Sequence, residues 1–171
     1  MARRYKPRLE RAPSALTLIG IPVLTIMLAS MAPIWPVIAT ATITPPFGLL
    51  MILSWRLLVR DLWPVWAALP LGLFDDLFSG QPLGSAAFSW TLMLLVIDQL
   101  DRKMMWRDYW QDWGLAALLI VAVTSINLWI ANVGGGGTSL AYVVPQMLVA
   151  ILCLPLFLRL AAALDHFRWQ L

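Results

Sequence analysis

Asp75 and Asp76 are adjacent carboxylates in the stretch Gly72-Leu-Phe-Asp-Asp-Leu-Phe-Ser-Gly-Gln-Pro-Leu-Gly84, inside a chain that is otherwise strongly apolar. An ionised side chain inside a membrane helix costs roughly 2.5–3.5 kcal/mol on insertion scales, so such a pair needs a partner or a job. The surrounding residues place the pair near a hairpin tip. A helix through Phe74 and Leu77 can stop at Gly80, Gln81-Pro82 can turn, and Gly84-Ser85 can open the next helix.

Neighbouring positions on a helix point about 100° apart, so Asp75 and Asp76 do not form a two-carboxylate site on one face. Gly72, Asp76 and Gly80 share a face at i, i+4 and i+8, a small-residue strip along which another helix or backbone can approach closely. Asp75 shares its face with Ser79. Both acids sit near a helix C-terminus, where the macrodipole disfavours negative charge. Asp76 is therefore expected to accept backbone N–H bonds from the turn at Gln81 or from the start of the next helix near Gly84-Ser85. The competing expectations are a contact to a cavity or partner on the outer side, and a proton or metal site.

Other chemistry has no residues to support it. The single His166 lies in a basic tail, and no Cys/His cluster offers zinc ligands or an activated nucleophile. No Gly-x-Ser-x-Gly elbow and no phosphate-binding Gly-x4-Gly-Lys-Ser/Thr loop occurs, and Gly134 to Gly137 has no following Lys. No enzyme activity, metal or cofactor is expected. Cys153 is the only cysteine and is expected to pack in the core.

The elements that must position the tip follow from composition and charge. Hydrophobic residues make up 61% and charged residues 12%, the composition of a membrane protein and not of a soluble one. Ten Trp fit interfacial belts, and twelve Pro fit short helices joined by tight turns. Outside Asp75 and Asp76, charges fall in four clusters: Arg3 to Arg11, Arg56 to Asp61, Asp98 to Asp112, and Arg159 to Arg168. Each apolar stretch between clusters far exceeds the roughly 20 residues of one span, so each is expected to hold two. Three hairpins then give six transmembrane helices, with all twelve Lys and Arg on one face. That bias makes the face cytoplasmic, with both termini on it. The net charge of +3 is explained by this placement, and no nucleic-acid partner is expected.

The predicted spans are Ser14 to Ala32, Pro46 to Val59, Trp63-Pro64 to Phe78 or Gly80, Gly84 to Leu100, Trp113 to Asn132 and Ala141 to Leu164, the last bent at Pro145 or Pro155. The chain reads as a single polytopic domain, 1–171. The basic arm, 1–13, suits an anionic inner leaflet. The apolar run behind it is longer than a signal-peptide core, so the first helix is expected to be retained. Pro33 to Pro46 is proline-punctuated and is expected along the outer interface. The segment 101–112 mixes charges with Met and Trp, which suits an interfacial helix. Arg56 is expected to extend its head group to the cytoplasmic boundary. Thr124, Ser125 and Asn127 are expected to hydrogen-bond neighbouring helices, each contact giving roughly 0.6 kcal/mol.

With six spans, Trp55 late in the second helix, and the tip motif, the chain resembles the rod shape-determining protein MreD family. The family pattern reads Gly, three residues, Asp-Leu, one residue, Ser-Gly, then a short stretch ending Leu-Gly. Gly72, Asp76, Leu77, Ser79, Gly80, Leu83 and Gly84 match it, with Pro82 in the turn between them. Arg60 stands where the pattern has proline, and Asp75 is additional. The specific likeness covers about Ile52 to Ser89.

The resemblance implies an all-α fold similar to the six-helix substrate-binding components of energy-coupling vitamin transporters. It also implies a non-enzymatic scaffold for lateral peptidoglycan synthesis in the bacterial inner membrane. Its partners would be a bitopic MreC-type protein and, through it, MreB, RodA and a penicillin-binding transpeptidase. The alternative is a small-molecule-binding transport subunit in which Asp75 or Asp76 and the amides of Asn127 and Asn132 line an outward cavity.

Overall fold

The computed structural model of the chain describes residues 15–34, 44–60, 62–103, 109–135 and 140–168, and all are helix or short connection. Six α-helices form among them: α1 (Ala15–Ser30), α2 (Phe47–Leu58), α3 (Ala68–Ser79), α4 (Ser85–Lys103), α5 (Tyr109–Val133) and α6 (Leu140–Arg168). Short 3-10 turns follow α1 at Ala32–Ile34 and precede α3 at Val65–Ala67. The basic arm, the proline-rich Trp35 to Ile43, Met104 to Asp108, and Gly136-Gly137 lie outside the described residues.

Helices α1, α3, α4, α5 and α6 form a ring in which each touches the next and α6 returns to α1; α2 packs against α1, α5 and α6. Every residue of α2 from Gly48 to Arg56 is buried. The sequence of α2 explains its central place. Leu49-Leu-Met-Ile-Leu53 is apolar on all sides, so this stretch can be surrounded by other helices without burying a polar side chain. Large side chains fill the centre, with Leu50, Ile52, Leu53, Trp55, Trp90, Ile97 and Ile120 fully buried. Cys153 packs against this core as a free thiol.

Proline chemistry sets two local features. The α3 helix is expected from Trp63-Pro64 onward, but the first turn is instead 3-10, with the Ala67 amide donating to the Pro64 carbonyl at 2.9 Å. Pro70 cannot donate back to Trp66, so the α-helical ladder starts late and the turn before it tightens. In α1, Pro22 likewise leaves the Leu18 carbonyl without its helical donor. Arg168, at the end of α6, supplies the replacement, its Nη1 donating to the Leu18 oxygen at 2.9 Å.

The same guanidinium pairs with Asp165 and stacks 5.6 Å from the Trp55 ring. Trp55 Nε1 donates to Thr25 Oγ1 at 3.0 Å, and that hydroxyl donates to the Pro22 carbonyl at 2.8 Å. These contacts tie α1, α2 and α6 together at one end of the bundle. Arg168→Met is expected to cost about 1.5–3 kcal/mol, because it orphans the Leu18 carbonyl and removes a charge-assisted bond. Thermal unfolding in detergent reads the loss. In a Pro22→Ala background, where the helix regains its own donor, the loss should shrink.

Several sequence expectations are changed by tertiary packing. Arg56 does not extend outward; it is buried, and its Nη2 pairs with Asp101 at 3.0 Å across α2 and α4. The Asp101 carboxylate offers the guanidinium a partner inside the bundle, which removes the reason to seek water. Thr124 bonds within its own helix, donating to Ile120 O at 2.6 Å and Val121 O at 3.1 Å, and Ser125 faces outward, so neither hydroxyl bridges helices. Of the segment 101–112, α4 takes residues through Lys103 and α5 begins at Tyr109. Helix α6 runs through both Pro145 and Pro155 as one helix, as expected.

Candidate functional site

The α3–α4 tip is built by its glycines. Gly80 closes α3 in the left-handed conformation at φ 68°, and Gly84 holds φ 93° just before α4; side chains with a Cβ rarely adopt either. Between them, Gln81-Pro82 turns the chain, and the Ser85 amide donates to the Pro82 carbonyl at 3.0 Å. Leu83 is left exposed at the apex.

Gly84 occupies the cap position of α4 and has no side chain with which to satisfy the first amides of that helix. Asp76 performs the task from α3. Its Oδ2 accepts from the Gly84 amide at 2.8 Å and its Oδ1 from the Ala86 amide at 2.9 Å. The Ser85 hydroxyl donates to Oδ1 at 2.9 Å, and the Ala87 amide lies 3.4 Å from Oδ2. Both carboxylate oxygens are thus used, and Asp76 is only 3% exposed. The positive end of the α4 dipole faces the carboxylate, offsetting the unfavourable end of α3. The Gln81 side-chain amide joins the tip, lying 3.3 Å from Ser85 Oγ.

The small-residue strip makes this possible. A Cβ on Gly72 would stand 2.5 Å from Ala87 Cα, 2.6 Å from Ala87 N and 2.8 Å from the Ala86 carbonyl carbon. Gly72 therefore lets the α4 backbone come directly onto α3, which brings the α4 amides within reach of Asp76. The close approach expected along the Gly72/Asp76 strip is made by α4. Ser79 Oγ is buried without a hydrogen-bond partner among the described residues.

Asp75 points elsewhere. Its carboxylate, the Ser30 hydroxyl and the Trp90 ring converge on Gly48 of α2, where an added Cβ would overlap both oxygens. It also lines a cavity of about 160 Å³ with Gln81, Trp90, Thr124, Asn127 and Gln146. The Oδ1 of Asn127 is buried there without a partner among the described residues. Of the groups expected around an outward cavity, Asp75 and Asn127 come together. Asp76 is committed to α4, and Asn132 is exposed away from the cavity wall. No group of three or more potential metal ligands occurs among the described residues.

A sequence model of the family described as rod shape-determining protein MreD matches residues 14–163. The chain belongs to the MreD family. The match extends the likeness from the tip to nearly the whole chain and includes all of α1 to α5 and most of α6. MreD is a shape-determining family of membrane proteins. In keeping with that membership, α5 and α6 contain apolar segments long enough to cross a bilayer, Trp110–Val133 and Val143–Arg168. No curated protein and no solved structure matches the chain.

Two features of the site were not visible before the fold. Gly48 and Ser30 meet Asp75 only through the packing of α1 and α2 against α3, and no local signal marks them. Asp101 lies on the polar end of α4 and could be matched to Arg56 only once those two helices were adjacent.

Proposed function

We propose that this MreD-family chain is a non-enzymatic, multi-pass scaffold of the lateral wall-synthesis machinery in the bacterial inner membrane. It holds an MreC-type bitopic protein by intramembrane packing and, through it, associates with MreB, RodA and a penicillin-binding transpeptidase. Family membership over residues 14–163 is the observation that carries this reading.

The surface supports the membrane placement. Leu148, Leu152, Leu156 and Leu160 repeat at i+4 along α6 and are all exposed, as are Leu69, Leu73 and Leu77 on α3. Such long apolar faces suit lipid or another helix and are rarely left to water. The 12 residues of α2 extend only about 18 Å, short of a bilayer core of about 30 Å, but α2 is enclosed by protein and its ends need not reach lipid. Both termini lie on the cytoplasmic side in this placement, with every Lys and Arg.

The transport reading has one observation in its favour, the cavity shared by Asp75 and Asn127. At about 160 Å³ it falls below the roughly 300–1,000 Å³ usual for small-molecule sites. Scaffolding is therefore preferred. Affinity capture of a tagged copy from gently solubilised membranes, followed by mass spectrometry, tests the choice. MreC and wall synthases are expected among the retained proteins. An ATPase pair or a bound small molecule in their place would contradict the scaffold and favour transport. Photo-crosslinkers at Leu73, Leu77 or Leu152 would then locate the contact.

A further inference from the structure

A second polar cavity, of about 330 Å³, lies at the end of the bundle that carries the basic residues, between the C-terminal ends of α2 and α4 and the connection into α3. Arg56, Trp63, Leu94, Asp98 and Arg102 line it. Two of the residues lining it carry unsatisfied groups. Arg56 spends Nη2 on Asp101, while its Nη1 is buried with no hydrogen-bond partner among the described residues. Trp63 Nε1 is buried and unpartnered in the same way. The two residues are 4% and 7% exposed.

Guanidinium and indole nitrogens are donors only, so no alternative assignment of hydrogens relieves either group. A ligand that satisfies both must bring acceptor atoms. Arg102 also lines the cavity, paired with Asp98 at 2.8 Å and with its side chain 71% exposed. We propose that this cavity takes the phosphate of a membrane phospholipid headgroup.

Three observations select this chemistry. The unpartnered Nη1 of Arg56 offers a charged donor to a phosphate oxygen, and the Trp63 N–H supplies a second donor. In the membrane placement proposed above, on which this inference rests, the cavity lies where the lipid phosphates of the inner leaflet are concentrated. Asp98 on the same wall repels a dianion and favours a phosphodiester with its single charge over free phosphate. A zwitterionic ethanolamine headgroup could also place its ammonium near Asp98.

The test uses the full chain purified from membranes, so a failure of membrane placement is seen before any lipid is added. Native mass spectrometry would follow titration with phosphatidylethanolamine, phosphatidylglycerol, diacylglycerol or inorganic phosphate. Discrete phospholipid adducts are expected, with diacylglycerol binding far more weakly. Trp63→Phe, which deletes the donor and keeps an aromatic ring, should weaken phospholipid binding about tenfold. Arg102→Gln, at an exposed position with little bearing on folding, should also weaken it. Equal binding of diacylglycerol and phospholipid, or binding unchanged in a folded Trp63→Phe and in Arg102→Gln, would overturn the proposal. Displacement of the lipid by millimolar inorganic phosphate would overturn the lipid as the source of the phosphate.

Discussion

Asp76→Ala is expected to lower the amount of protein in the membrane sharply and to destabilise what remains by about 3–5 kcal/mol. The carboxylate, itself buried, receives the Gly84 and Ala86 amides and the Ser85 hydroxyl at 2.8–2.9 Å. Hydrogen bonds to a charged group contribute about 1.5–3 kcal/mol each, and losing the acceptor leaves buried donors unpaired. The individual contributions are not additive, which places the total near the lower part of their sum. Asp76→Asn keeps one acceptor oxygen and should lose roughly half as much. Quantitative immunoblotting of membranes and thermal unfolding in detergent measure both variants. Asp75→Asn should be milder, since no amide of α4 depends on Asp75.

Gly72→Ala gives the second large effect, and its sign distinguishes tertiary packing from helix propensity. In an isolated helix, alanine is favoured over glycine by about 1 kcal/mol. At Gly72 the new methyl would meet the α4 backbone at 2.5–2.8 Å, and backbone cannot rotate aside as a side chain can. Overpacking of this kind costs about 1–3 kcal/mol and can cost more, so the net change should be destabilising. The displacement would also draw the α4 amides away from Asp76, coupling the two sites. Gly114 provides the contrast. It lies within α5 with nothing within 4 Å of an added Cβ, so Gly114→Ala should stabilise by up to about 1 kcal/mol. Paired unfolding curves of the two variants should therefore move in opposite directions.

The parts of this structure legible in the sequence are those fixed by local chemistry. Charge clusters separated by long apolar runs indicated six helices, and the observed bounds of α4 and α5 lie within a few residues of the expected ones. The tip was legible because its glycines and proline have narrow conformational uses. Asp76 could be matched to the start of α4 because a helix N-terminus just across a tight turn is within reach of a carboxylate.

What remained hidden depends on pairs far apart in the chain. Arg168 reaches the Leu18 carbonyl, Arg56 meets Asp101, and Asp75 meets Ser30 and Gly48 only when the ring of helices closes around α2. Arg56 also shows how a sound local argument fails. A long cationic side chain at the end of an apolar helix ordinarily reaches for water, but here a carboxylate from another helix was nearer. The close approach expected along Gly72 and Asp76 is made by α4 of the same chain. A small-residue strip permits close approach, but its spacing does not say whether the approaching helix belongs to the same chain.

Asp76 serves by locking α4 onto α3, and any effect on the proposed wall-synthesis assembly follows from that lock. The most direct measurement compares wild type and Asp76→Ala in one membrane preparation, quantifying the protein and the MreC retained per copy. If the lock is the role of Asp76, abundance falls while MreC per surviving folded copy stays near the wild-type level. Normal abundance with MreC lost would contradict the lock and make Asp76 a direct partner contact.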